Sequence, residues 1–145
     1  MKIIIATLDE LDSVVELFNQ YRMFYKQASD LIGAQEFLRK RIENKESVIF
    51  LATHEDKPVG FTQLFPMFSS VSMKRTWILN DLFVSESARR LGVGEALIDA
   101  AIGYGTDTFA KGILLETGNE NVKAQALYEK IGFKREESYF YFYSL

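Results

Sequence analysis

The sequence predicts a single α/β domain of the α+β type spanning residues 1–145, with helices flanking a mixed, mostly antiparallel central sheet. Three observations lead there. The apolar pattern changes from a helical period between residues 9 and 43 to strand-like runs between 48 and 84. A strand–helix–strand–helix succession follows, from residue 76 to residue 131. Apolar residues are 48% and charged residues 26% of the chain, a composition that can bury a core.

Residues 2–6 read as a short strand. From Asp9 to about Lys26, the residues Leu11, Val14, Val15, Phe18, Tyr21, Arg22 and Tyr25 recur at helical spacing. A second helix is expected from Leu31 to Glu43, with Leu31, Ala34, Gln35, Leu38 and Ile42 on one side. Val48–Ala52 reads as a buried strand, and a turn at Glu55–Pro58 leads into a strand from Val59 to Phe65. A loop over Pro66–Ser72 precedes a long strand from Thr76 to Val84. A polar connection over Ser85–Leu91 opens a helix near Gly92, whose stripe is Val93, Ala96, Leu97, Ala100, Ala101 and Tyr104. Gly112–Thr117 is expected as a strand and Asn121–Ile131 as a helix, which Gly132 ends as a left-handed C′ residue. The aromatic run Tyr139–Tyr143 has strong strand propensity and is expected to close the sheet. It would form an edge that a second copy could cover, making a homodimer.

Composition removes several function classes. With no cysteine, the chain has no disulfide, no thiolate nucleophile and no cysteine metal site. The single histidine, His54, stands in the turn-like stretch before Pro58, which argues against a Ser-His-Asp triad or a multi-histidine zinc site. We expect no metal. The net charge of −3 argues against a nucleic-acid partner. No apolar run approaches the roughly 20 residues that span a bilayer. The apolar stretch after Met1 soon meets Asp9 and Glu10, so no signal peptide is read and a cytoplasmic protein is expected.

The most informative stretch runs from Asn80 to Leu97. It sets a strand, a short basic loop with two glycines and a helix N-terminus in succession. Helix N-termini present unpaired N–H groups and partial positive charge, which suits phosphate. Gly92 and Gly94 let the backbone approach an anion, and Arg89 and Arg90 add charged donors. A glycine pair can equally serve tight strand–helix packing. The loop is not a Walker loop, since no Gly-Lys-Ser/Thr follows.

Arg89-x-x-Gly92-x-Gly94 resembles the acetyl-CoA pyrophosphate signature of the GNAT superfamily of N-acetyltransferases. Leu82-Phe83-Val84 resembles the strand before that signature, and Asn121-x-x-Ala124-x-x-Leu127-Tyr128-x-x-x-Gly132-Phe133 is similar to the family's second signature. Order and separation both fit, and the resemblance covers essentially the whole chain. It implies acetyl-CoA as acyl donor and an amine as acceptor, with a small-molecule amine favoured because the chain is compact. Carried over, the backbone of Leu82, Phe83 and Val84 would pair with pantetheine, and a bulge there would open the slot. The N–H groups of Arg89, Arg90, Leu91, Gly92, Val93, Gly94 and Glu95 would hold the pyrophosphate. Asn121 would contact the cofactor or cap its helix.

The resemblance also makes Tyr128 the proton donor to the departing thiolate, although Ala124, Leu127, Tyr128 and Ile131 equally form a core stripe. Asp81 is the first candidate for general base or else a structural partner, with Asn80 expected on the opposite face by strand alternation. Glu116 is a second candidate. Acceptor recognition is assigned to Tyr21, Tyr25, Ser69 and Trp77, alongside Arg22, the Phe65–Ser70 loop and the aromatic tail. The competing functions are a non-catalytic acyl-CoA-binding sensor and a protein or peptide N-acetyltransferase.

Overall fold

Thr7 decides where the first helix begins. In the computed structural model, which describes residues 1–145, Thr7 and Glu10 cap each other. The Thr7 N–H donates to Glu10 Oε2 at 2.8 Å, and Asp9 N donates to Thr7 Oγ1 at 3.2 Å. This capping box satisfies donors that a helix start leaves open. It turns the chain out of β1 (Lys2–Ile5), through a 3₁₀ turn at Leu8–Glu10, into α1 (Leu11–Phe24). Asn19 is buried on α1 and fixes the next connection, donating to Ser29 Oγ at 3.0 Å and accepting from Asp30 N at 2.9 Å. Asp30 then caps α2 (Leu31–Glu43), its Oδ1 accepting from Gly33 N at 2.9 Å.

The sheet follows in chain order. β1, β2 (Val48–His54), β3 (Lys57–Ser69) and β4 (Lys74–Val84) pair antiparallel in succession, and β5 (Ile113–Leu114) lies parallel to β4. α3 (Val93–Asp107) connects β4 to β5. One face of the sheet packs Ile49, Leu51, Phe61 and Phe83 against Leu11, Val14, Val15 and Phe18 of α1 and Leu38 of α2. The opposite face meets α3, where the Tyr104 ring lies 5.7 Å from Phe50 and 5.4 Å from Trp77.

The third strand outruns its expected end. Val48↔Leu64 is the last pair between β2 and β3, so Phe65–Ser69 is bonded only to β4. That stretch is an edge, and an edge tolerates Pro66, which has no N–H for a further neighbour. The loop expected over 66–72 therefore shrinks to the turn at Ser70–Met73.

Gly60 sets the spacing between sheet and α3. A Cβ there would lie 2.8 Å from the Phe83 carbonyl oxygen, 3.1 Å from Val93 Cγ1 and 3.3 Å from Leu97 Cδ1. Backbone oxygen cannot step aside as a side chain can. Gly60→Ala is therefore expected to lose about 1–3 kcal/mol, read as a lower urea midpoint, and an unchanged midpoint would refute the packing argument.

The chain divides into two units, Met1–Leu115 and Glu116–Leu145. The second unit contains α4 (Val122–Ile131), started by Asn121 and ended by Gly132 at φ 124°. Residues 133–145 form no strand, contrary to the sequence expectation, and Tyr139, Tyr141 and Phe142 are almost fully exposed. Strand propensity measures fit to a pleated, half-buried surface, and it yields no strand without a hydrogen-bonded neighbour. The strand expected over 112–117 is likewise reduced to Ile113–Leu114. No helix is long and apolar enough to cross a membrane.

Candidate active site

A bulge in β4 organises the site. Gln63 pairs with Asp81, but the next residue of β3, Leu64, pairs with Leu79, so Asn80 is an extra residue. The expectation had placed the bulge at Leu82–Val84. Its consequence is an exchange of faces. Without it, Trp77, Asp81 and Phe83 would share one side of the sheet. Instead Trp77 faces α3, while Phe83 lies in the core against α1.

Trp77, assigned to acceptor recognition from the sequence, is thereby turned away from the face that carries Asp81. It is buried, donates from Nε1 to Thr108 Oγ1 at 2.9 Å, and serves the core beneath α3. Asn80, expected opposite Asp81, instead stands beside it and donates from Nδ2 to Asp81 Oδ1 at 2.9 Å. Side chains satisfy the carbonyls at the bulge. The Thr62 hydroxyl donates to the Asp81 carbonyl at 2.7 Å, and the Tyr21 hydroxyl to the Asn80 carbonyl at 3.4 Å.

Asp81 lines a cleft of about 530 Å³ between α1, α2 and the sheet. Its walls are aromatic: Phe18, Tyr21, Phe37 and Phe65. Gln63 and Asn80 contribute amides, and Arg22 and Asp30 contribute charge. Tyr21 is where the sequence reading placed it, packed edge-on against Phe61 and Phe83 at centroid distances of 5.8 and 6.3 Å. The other assigned acceptor residues are not brought to this cleft. Tyr25 is exposed at the C-terminal end of α1, its ring 5.1 Å from Tyr21. Ser69 closes the β3–β4 hairpin, accepting from Ser72 N at 3.3 Å.

Gln63 was missed. Its signal was available, since an amide inside the apolar run Val59–Leu64 must find a buried partner. That partner is Asp81, whose Oδ2 accepts from Gln63 Nε2. The Asp81 side chain is almost wholly enclosed, at 4% exposure. Burial pushes its carboxyl above the usual carboxylate range, outweighing the hydrogen bonds from Gln63, Asn80 and Tyr21 that favour the charged form. Glu116, the second candidate base, is exposed at the start of the second unit.

Beyond the bulge, β4 has a free edge. It pairs with β5 only at Trp77↔Ile113 and Ile78↔Leu114, whereas on its other side Leu82, Phe83 and Val84 pair with Thr62, Phe61 and Gly60. The backbone groups of residues 82–84 that face away from β3 therefore lack a strand neighbour, an arrangement that accepts an extended amide-bearing chain.

The basic loop follows directly. A 3₁₀ turn at Glu86–Ala88 leads through exposed Arg89, Arg90 and Leu91 to Gly92, which has φ 77° at the N-cap of α3. The first intrahelical bond of that turn is Ala96 N to Gly92 O at 3.0 Å. Gly92 has no side chain with which to cap, so the N–H groups of Val93 and Gly94 point out of the helix start without an intrahelical acceptor. Arg89 Nε donates to the Val84 carbonyl at 3.3 Å, which ties the loop to the strand end.

In the second unit, Asn121 Oδ1 accepts from Ala124 N at 3.4 Å, so the residue does cap α4. Tyr128 is half-buried on α4, its ring 5.9 Å from Phe133.

Comparison with known proteins places the whole chain among relatives of one family. The sequence matches the acetyltransferase (GNAT) family over residues 11–133. It is similar to an uncharacterised N-acetyltransferase of Bacillus subtilis (strain 168), 48% identical over 137 residues, which is 94% of this chain and 92% of that protein. A probable acetyltransferase of Haemophilus influenzae is 33% identical over 135 residues, 92% of this chain and 90% of its own. The crystal structure of a probable acetyltransferase superposes with a TM-score of 0.92 at 45% identity, covering 100% of this chain and 97% of that one.

Proposed function

Because the chain belongs to the GNAT family of acetyltransferases, we propose that it transfers an acetyl group from acetyl-CoA to a primary amine of a small molecule, the nitrogen attacking the thioester directly. The observation that carries this reading is the enclosed carboxylate of Asp81, in an aromatic cleft, one residue before the free edge of β4.

The chemistry sets the roles. An aliphatic ammonium has a pKa near ~10 and must lose a proton before its nitrogen can attack. Asp81 is the base, and its raised proton affinity narrows the gap to that ammonium. The aromatic lining from Phe18, Tyr21, Phe37 and Phe65 suits the approach of an organic cation. A volume of about 530 Å³ suits a small molecule.

The residues present fit acetyl-CoA, which supplies the activated acyl group. The uncapped start of α3, with Arg89 and Arg90 beside it, matches a pyrophosphate, and the free edge at Leu82–Val84 matches pantetheine amides. Asn121 can contact the donor only with the polar capacity left after capping α4. Tyr128 gives its hydroxyl proton to the departing thiolate, a role supported by its place in the second signature.

The test is release of free thiol from acetyl-CoA across a panel of amines. Wild type is expected to turn over one amine class, and Tyr128→Phe to lower kcat at least about tenfold while CoA still binds. Binding without thiol release on any amine would favour an acyl-CoA-binding module. Absence of binding would overturn the reading.

A further inference from the structure

Gln63 lies directly across from Asp81, in the last regular pair before the bulge, and its side chain is fully buried. An amide has two unlike ends, and burial makes the choice between them consequential. The charged carboxylate only accepts and so takes the Nε2 end, and Ser47 anchors the other. Its hydroxyl donates to Gln63 Oε1 at 2.8 Å, which leaves Nε2 toward Asp81 Oδ2. A flipped amide would instead set a carbonyl oxygen against the carboxylate. Ser47 immediately precedes β2, is half-buried and does not line the cleft.

We propose that Ser47 and Gln63 form a positioning relay for the acid–base group, Ser47 orienting the Gln63 amide so that it holds the Asp81 carboxylate in its working rotamer. A carboxylate offers about four lone-pair sites. Gln63 and Asn80 occupy two of them, one on each oxygen, leaving room for the proton of an acceptor amine. The titratable and charged groups facing Asp81 from the packed elements are Tyr21 and Arg22 of α1 and Asp30 at the start of α2. None of them is altered by a change at Ser47.

The inference rests on Asp81 being the base, so two readouts are needed. The first is the carboxyl ¹³C titration of Asp81 in wild type, Ser47→Ala and Ser47→Thr, which requires no turnover. Loss of an oriented donor disfavours the charged form. Ser47→Ala is therefore expected to titrate about one pH unit higher than wild type, and Ser47→Thr, which keeps the hydroxyl, at the wild-type value. The second readout is the acid limb of kcat/KM, expected to move by the same amount with the acceptor KM unchanged.

A titration unmoved in a folded Ser47→Ala protein overturns the relay. Should that variant not fold, Gln63→Leu replaces it with the same expected direction, and an unmoved titration there is equally fatal. A titration that moves while the acid limb stays fixed leaves the relay standing and overturns Asp81 as base.

Discussion

Asp81→Asn is expected to lower kcat by about 10²- to 10⁴-fold, with acetyl-CoA affinity unchanged. The substitution keeps the volume and removes the basic lone pair. It also disturbs the local network, because Gln63 and Asn80 both present N–H donors to the present carboxylate. One end of an asparagine would meet a donor with a donor. The loss is therefore expected in the chemical step, and CoA titration provides the control.

The pH dependence of activity carries the same assignment. A base must be unprotonated, so wild-type kcat/KM should fall as pH drops through the Asp81 titration, which burial sets above the usual carboxylate range. That limb should vanish from the residual activity of Asp81→Asn.

Stability runs the other way. Since the folded-state pKa lies above the unfolded one, the contribution of this group is fully present below the unfolded value and lost as pH rises through the folded value. Wild type should thus lose stability over that window and Asp81→Asn should not. Matching activity profiles in the two proteins would remove Asp81 from the mechanism, whatever the stability data show.

What could be read from the sequence was what depends on neighbours along the chain. The loop from Arg89 to Gly94, the start of α2 at Leu31 and the stop at Gly132 are local devices, and all lie where the residue types place them. Asp81 and Tyr21 were also legible, one from the strand before the loop and the other from the helical stripe. Trp77 was not. Its placement depends on strand parity, and one extra residue at Asn80 inverts that parity between residues 79 and 81. A bulge has no dependable signature in a single strand, because it is a property of two strands in register.

Gln63 is a different kind of failure. Its hydrogen bonds could not be named from the sequence, but an amide in a buried strand demands a partner and should have been singled out. Tyr25 lies just past the last residue of α1, and Ser69 ends β3 where a loop was expected; neither lines the cleft. The aromatic tail shows the limit of propensity, which describes a surface that residues would suit without supplying it.

Gly92 yields the second large effect, on donor binding. Its φ of 77° lies in the left-handed region, and a Cβ built there meets nothing within 4 Å. Space inside the protein does not require glycine at this position. The backbone angle does, and so would the approach of the pyrophosphate proposed to sit on the N–H groups of Val93 and Gly94. Two substitutions separate these demands. Asparagine tolerates the left-handed angle, so Gly92→Asn should fold with near wild-type stability while placing side-chain atoms where the pyrophosphate would lie. Valine does not tolerate it, so Gly92→Val should also lose about 1–2 kcal/mol of stability.

Each charged hydrogen bond displaced is worth about 1.5–3 kcal/mol, and each 1.4 kcal/mol is about tenfold in affinity. By calorimetry, Gly92→Asn is therefore expected to bind CoA about 10- to 100-fold more weakly than wild type, and Gly92→Val more weakly still. Wild-type CoA affinity in a folded Gly92→Asn protein would mean that the start of α3 does not hold the pyrophosphate. The free edge of β4 would then have to account for donor binding without it.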